Sequence, residues 1–481
     1  MRFLWLLLFS SIAFSQQKQT PVRPNIVLLF ADDLRADAVG CYGNPYIKTP
    51  HIDQLAKNGT LFKNAYILGG DQGAVCAPSR AMLMTGKGFF RVSDKMNGQL
   101  ILPMLLRKNG YETFMTGKWH NEKEAVVAGF DHAKNVMFSG MNDHFKTNMQ
   151  DLKADGTFTD KVEKGFSTDV FCQTALDFID NHNPKKPFFA YVPFTAPHDP
   201  RSPLPKYLAM YDEKNIPLPP NFMHLHPFSF GNNMGGRDEF LAKFPRTTED
   251  IRGQIADYYG LITHLDEAVG RIVQKLKDKG LDKNTIIIFC ADNGLAIGSH
   301  GLLGKQNLYE HSMHVPLIIS GMGIPKDQSR EAFAYLLDLY PTLCDMVKIP
   351  APTDLDGKSL LQVVSGKAKM VRSELFTGYI TFQRAVRDTR YKLIRYPKID
   401  HTLLFDLQND PYELVNLADK PEYAAKVAEM TVLLQKKQAE FKDTLPLTAT
   451  ELAPKTWDYR TLKRVPDQWQ PKYVLDKYFK D

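Results

Sequence analysis

Four short apolar runs, each closed by a polar turn, punctuate the first two thirds of the chain. Residues 25–30 (Asn-Ile-Val-Leu-Leu-Phe) lie between Pro24 and Asp32-Asp33, and residues 285–290 (Thr-Ile-Ile-Ile-Phe-Cys) lead into Asp292-Asn293-Gly294. Residues 187–192 and 315–320 repeat the pattern. Unbroken runs of branched and aromatic residues suit strands buried on both faces, as in a parallel sheet. Residues 251–279 instead place apolar side chains at Ile255, Tyr258, Tyr259, Ile262, Leu265, Val269, Ile272 and Leu276. That spacing predicts one long amphipathic helix, with Gly280 as its stop. Strands alternating with helices predict an α/β fold around a large, mostly parallel sheet.

The pattern changes near residue 370. Short strands are predicted over 375–380, 382–387, 391–396 and 403–407, forming a small antiparallel sheet, and then a helix over about 421–441. The tail, 448–481, is rich in Pro, Tyr and Trp and is expected to wrap the surface. Residues 202–247 carry many Pro, His, Gly, Asn and Phe residues and read as a long loop insertion, a place where function often resides. The expected organisation is a leader at 1–15, a main domain at 22–370, and a C-terminal subdomain with tail at 371–481.

The leader is read from Arg2, the apolar run 3–9, and the small residues Ala13 and Ser15. These are the parts of a signal peptide cleaved near Ser15, and the run is too short to span a bilayer. A periplasmic or secreted protein without a membrane span is expected. A chain of 481 residues, 43% of them apolar, can bury a large core without disulfides. The net charge of +6 favours anionic substrates mildly and is too diffuse for nucleic acid. The five cysteines, Cys41, Cys76, Cys172, Cys290 and Cys344, contain no C-x-x-C pair, so neither a zinc site nor a disulfide framework is signalled. An odd count in an exported chain leaves one thiol to explain, and Cys76 is the candidate.

Cys76 opens the run Cys76-Ala77-Pro78-Ser79-Arg80, which continues to Gly86. Pro78 suits the first turn of a helix and Gly86 its end. Cys76 then sits at a helix N-terminus, which favours anions, with Arg80 one turn on along the same face. Asp32-Asp33 and Asp292-Asn293 each follow a predicted strand, where sites form in open α/β sheets. Three carboxylates and one amide oxygen are hard ligands, suited to Ca²⁺ or Mg²⁺. The plain alternative is a helix cap and an Asp-Asn-Gly turn. His198, in Ala196-Pro197-His198, could protonate a departing alkoxide.

Cys-x-Pro-Ser-Arg resembles the maturation motif of the type I sulfatases. Thr116-Gly117-Lys118-Trp119-His120, Pro197-His198, Asp292-Asn293, Gly304-Lys305 and Leu355-Asp356-Gly357 follow in that family's order, over residues 24–418. The resemblance implies an alkaline-phosphatase-like α/β fold and hydrolysis of sulfate esters, with a sulfated sugar or glycan as substrate. It implies that Cys76 is oxidised to formylglycine, by a formylglycine-generating or anaerobic sulfatase-maturing enzyme, and that its hydrate is the nucleophile. It favours one Ca²⁺, held by Asp32, Asp33, Asp292, Asn293 and the group at 76. Arg80, Lys118 and Lys305 would neutralise the sulfate, His120 would hold the hydrate, and His198 would be the general acid. His314 could reach substrate, with His300 and His311 as weaker candidates. Asn121-Glu122 stands where the family usually has Leu-Gly, which leaves the following turn open. Residues 135–165, 202–247 and the tail match no motif and are where substrate choice is expected to lie. Two other readings stay open: a phosphate or phosphonate ester hydrolase of the same superfamily, and a sulfated-glycan binding protein with an unmatured Cys76.

Overall fold

The computed structural model describes residues 23–232 and 234–480; the leader expected at 1–15 lies outside them. The apolar run after Pro24 becomes the strand Asn25–Ala31, buried along its whole length. It sits near the middle of a nine-stranded sheet, between Phe188–Pro193 and Thr285–Ala291 and parallel to both. Glu112–Lys118 and His132–Met137 extend the sheet beyond Phe188–Pro193, also in parallel. On the other side lies Leu317–Gly321, which is antiparallel to Thr285–Ala291 and to Gly59–Tyr66. This corrects the expectation of a parallel strand over 315–320. A run buried on both faces has no polarity of its own, so its apolar pattern does not encode direction. Pro316 also divides that run, because it cannot donate to the ladder: His314–Val315 is a separate short strand on Gly59–Tyr66. Gln328–Tyr335 completes the sheet beside Gly59–Tyr66.

The long helix is observed over Thr248–Asp278, where the Thr247 hydroxyl accepts from the Asp250 N–H at its start. It packs against the helices Pro50–Lys57 and Ser167–Asn181 on one face of the sheet. Residues 202–247 are irregular apart from short turns, yet much of the segment is interior. Its Arg246 is fully buried and donates to the carbonyls of Glu239 and Ala242.

The second sheet runs His401–Asp406, Tyr391–Tyr396, Gln383–Arg387, Leu375–Tyr379, with these four strands antiparallel and Gly69–Gly70 added in parallel, and with the helix Ala424–Phe441 packed on it. Its fifth strand, Gly69–Gly70, comes from the main domain, six residues before Cys76. Gly69 has φ +104°, and a Cβ there would lie 1.9 Å from the Gly378 carbonyl oxygen, so only glycine permits this junction. The tail ends in the helix Lys472–Tyr478, whose Tyr473, Lys477 and Tyr478 all bind the buried carboxylate of Asp257. Among the described residues, no helix is long and apolar enough to cross a membrane.

Candidate active site

Parallel register brings the acidic turns together. Ala31 and Ala291 are paired across the sheet, so Asp32 and Asp292 leave neighbouring strands at the same level. The Asp33 N–H donates to Asp292 Oδ1 at 3.0 Å, and Asn293 Nδ2 donates to Asp33 Oδ1 at 2.8 Å. Lys118 ends the strand Glu112–Lys118, and the Pro-His loop follows Phe188–Pro193. These ends lie on one edge of the sheet, the carboxyl edge where such folds place their sites.

Cys76 begins the helix Cys76–Thr85, all ten residues of which are buried, and Gly86 closes it at φ +67°. The thiol lies 3.1 Å from His120 Nδ1, 3.8 Å from Lys118 Nζ and 3.9 Å from Lys305 Nζ. Burial pushes the Cys76 thiol up to about 11 despite the two ammonium groups, so the unmodified residue is not a thiolate at neutral pH. Burial, aided by Lys118, holds His120 well below the usual histidine range, so its ring is neutral. Asn121, where the family pattern departs, has a definite place: its Nδ2 donates to the carbonyls of Ala77 and Asp94 and ties this turn to the start of the Cys76 helix.

Arg80 turns inward. Its Nε and Nη2 bind Asp292 Oδ2 at 3.1 and 2.8 Å, Nη2 also reaches Asp32, and Nη1 donates to the Lys118 carbonyl. These contacts leave one of its five N–H groups. The guanidinium assigned to sulfate from the sequence thus also bridges the carboxylates of Asp32 and Asp292. Lys118 Nζ pairs with Asp32, and Lys305 Nζ pairs with Asp33 Oδ1 at 2.6 Å. Burial opposes ionisation of Asp32, yet Lys118 and Arg80 hold it well below the usual carboxylate range. Burial and the neighbouring Asp32 push Asp292 up to about 7. Three cations, Arg80, Lys118 and Lys305, face these three carboxylates in a dry setting, so burial and mutual repulsion still raise Asp292.

Three oxygens here are buried and without a hydrogen-bond partner: Asp32 Oδ1, Asp33 Oδ2 and Asn293 Oδ1. Asp32 and Asp292 with Cys76, and Asp32 and Asp33 with His198, can each offer ligand atoms within 4.8 Å of one another. Unpaired buried oxygens from carboxylates and an amide fit a hard divalent cation.

Comparison with known proteins agrees with this geometry. The family profile described as Sulfatase matches residues 24–349, and that of the N-sulphoglucosamine sulphohydrolase C-terminal region matches 298–440. The chain belongs to the sulfatase family. This sulfatase is 29% identical to an N-acetylglucosamine-6-O-sulfatase of Bacteroides thetaiotaomicron, over 89% of each chain. It is 28% identical to an ulvan-active sulfatase of Formosa agariphila, over 89% of this chain and 83% of the relative. A solved structure in complex with its substrate, D-glucosamine-2-N,6-O-disulfate, superposes with a TM-score of 0.76 at 26% identity, covering 89% of this chain and 99% of that one. The alkaline-phosphatase-like fold extends to a phosphonate monoester hydrolase of Agrobacterium radiobacter, at TM-score 0.70 and 24% identity over 87% of this chain and 96% of that one.

The sulfatase thus gathers Asp32, Asp33, Cys76, Arg80, Lys118, His120, His198, Asp292, Asn293 and Lys305 in one cluster. His198 Nε2 stands 3.6 Å from Asp33 Oδ2. His314 is not in it. Its Nε2 sits 2.7 Å from the Lys63 carbonyl oxygen and its ring stacks on Tyr66, because the short strand His314–Val315 faces Gly59–Tyr66. His300 and His311 likewise pack on Tyr309. Sequence reasoning missed Asp199, Arg237, Asp238 and His144, all of which stand behind or beside His198. His144, Arg237 and Asp238 lie in segments without motifs and Asp199 just past the Pro-His element, and charged residues in loops carry no periodic signal.

Proposed function

We propose that this sulfatase is exported and removes sulfate from a sulfated sugar or glycan, with Cys76 matured to formylglycine by a dedicated enzyme and one Ca²⁺ held by Asp32, Asp33, Asp292 and Asn293. The observation that carries this reading is a buried thiol bracketed by Lys118 and Lys305 and set over three unpartnered oxygens. When present, the cation supplies Lewis-acid charge and the hydrated aldehyde at position 76 supplies the attacking hydroxyl.

The side chains divide the remaining work. Lys118 and Lys305 place two ammonium groups, fixed before substrate arrives, where the charge of a transferring sulfuryl group develops. Arg80 holds Asp32 and Asp292 in register. His120, as the neutral ring nearest position 76, orients the group there. A Cβ on Gly140 would stand 2.5 Å from His120 Nε2, so the bare glycine leaves room for that ring. His198 donates Nδ1–H to the Asp199 carbonyl at 2.7 Å, which leaves Nε2 to carry the proton for the leaving alcohol. Support for a sugar substrate comes from the named activities of the relatives.

The test pairs two measurements on one preparation. Intact mass should show the loss expected for thiol-to-aldehyde conversion at Cys76, and free sulfate should be released from defined sulfated mono- and oligosaccharides. A fully converted protein that releases phosphate from matched aryl esters faster than sulfate would overturn the sulfate-ester assignment. An unconverted, inactive protein that retains sulfated glycans would point to binding alone.

A further inference from the structure

Behind His198 lies a chain of ion pairs that reaches Asp467 in the C-terminal tail. Asp199 is 3% exposed, and its carbonyl fixes the His198 ring through Nδ1; its carboxylate Oδ1 is 3.4 Å from the same nitrogen. Arg237 grips that carboxylate with both terminal nitrogens, Nη1 at 2.8 Å to Oδ1 and Nη2 to Oδ2. On its other edge, Arg237 Nε and Nη2 bind Asp467 Oδ2 at 2.8 and 2.7 Å. Asp467 is itself held, with Oδ1 accepting from the Trp469 N–H and Oδ2 from Gln470 Nε2.

The same guanidinium also serves the opposite wall. Arg237 Nη1 binds Asp238 Oδ1 at 3.0 Å, and Asp238 Oδ2 accepts from Gln306 Nε2 at 2.8 Å. Gln306 Oε1 in turn accepts from the Lys305 N–H at 3.0 Å. Arg237 therefore joins the loop carrying His198 to the loop carrying Lys305. It comes from the segment 202–247, which holds no family motif, and Asp467 comes from the tail beyond residue 440, where the family match ends.

We propose that Arg237, anchored by Asp467, is a positioning residue for proton donation: the C-terminal tail completes the active site by holding Asp199, and through it His198, at the leaving-group side. A planar bidentate fork suits this task because it fixes direction as well as distance. The inference rests on His198 as general acid, and the test separates the two.

The readout is kcat/KM across a series of aryl sulfates from 4-nitrophenyl sulfate, whose leaving group needs no proton, to phenyl sulfate, whose leaving group does. His198→Ala sets the reference: its loss on phenyl sulfate should exceed its loss on 4-nitrophenyl sulfate by about 10² or more, the usual range for a positioned acid. Arg237→Met should show the same selectivity at about tenfold or more, and Asp467→Asn, which keeps the tail's shape, a smaller loss with the same sign. Thermal unfolding confirms that each variant is folded, and Asp467→Asn carries the test if Arg237→Met is not. Equal losses on both esters, or none, in the Arg237 and Asp467 variants beside a selective His198→Ala would refute the positioning role while sparing the general acid. A non-selective His198→Ala would remove both.

Discussion

Acid should weaken this protein through its buried histidines, among them the neighbouring pair His226 and His300. His226 is 2% exposed; its Nδ1 donates to the Phe228 carbonyl at 2.7 Å, and its Nε2 faces the Tyr309 hydroxyl at 3.1 Å. His300 stacks on the other partner in that contact, Tyr309, with ring centroids 4.0 Å apart. Burial lowers His226 from 6.5 to about 4 and His300 to about 3. The unfolded chain therefore binds more protons than the folded one between about pH 6.5 and the folded values, and stability rises with pH in that window. The contribution is complete above pH 6.5 and is lost as pH falls towards 4. At pH 5 each neutral ring costs about 2 kcal/mol relative to pH 8, from about 1.4 kcal/mol per pH unit over 1.5 units. The two share Tyr309, so their sum should fall short of about 4 kcal/mol. His226→Asn keeps a donor for the Phe228 carbonyl and removes the titration. Urea unfolding of wild type and variant at pH 8, 7, 6 and 5 measures the difference. The variant should be weaker at pH 8, having lost ring packing, yet lose about 2 kcal/mol less between pH 8 and pH 5. Parallel stability curves for the two proteins would refute the reasoning.

Other outcomes follow from the site. Replacing Lys118 or Lys305 by Met should lower kcat on 4-nitrophenyl sulfate by about 10²–10³, the scale for losing one preorganised charge. Chelation should abolish turnover and lower the melting temperature, with Ca²⁺ restoring both, and Asp33→Asn should remove the Ca²⁺-dependent melting shift seen by differential scanning fluorimetry. Gly140→Ala, which drives a methyl into the His120 ring, should cut kcat about tenfold with little change in melting temperature. His314→Ala should leave kcat within about twofold, because that ring serves Lys63 and Tyr66; a larger loss in steady-state assays would return it to the site.

The central strand and the acidic turns were readable because an apolar run ending in Asp-Asp or Asp-Asn is a local pattern, and parallel pairing then aligns the turns with no further information. The Cys76 helix was readable from Pro78 and Gly86 for the same reason. Strand direction at Leu317–Gly321 was not, and neither was the strand Glu112–Lys118, whose mixed composition only a packed sheet resolves. Arg80 was readable as a member of this helix, but its pairing with Asp32 and Asp292 was not, since the helical face says where a side chain starts and not which carboxylates it meets. The contacts from Arg237 to Asp199 and Asp467 span 38 and 230 positions. Pairings of such common residue types across such distances leave no trace in periodicity or spacing.

The complete burial of Cys76–Thr85 has a consequence for biogenesis. At 1% exposure, residue 76 cannot be embraced by a second macromolecule once the helix has docked and the Gly69–Gly70 strand has locked onto the neighbouring sheet. If Cys76 is matured as proposed above, the catalyst that converts this thiol must meet a nascent, extended chain. Tertiary collapse therefore sets a deadline: molecules that compact before being processed are trapped as well-folded but inert isoforms, and the specific activity of a preparation reports a race between two rates.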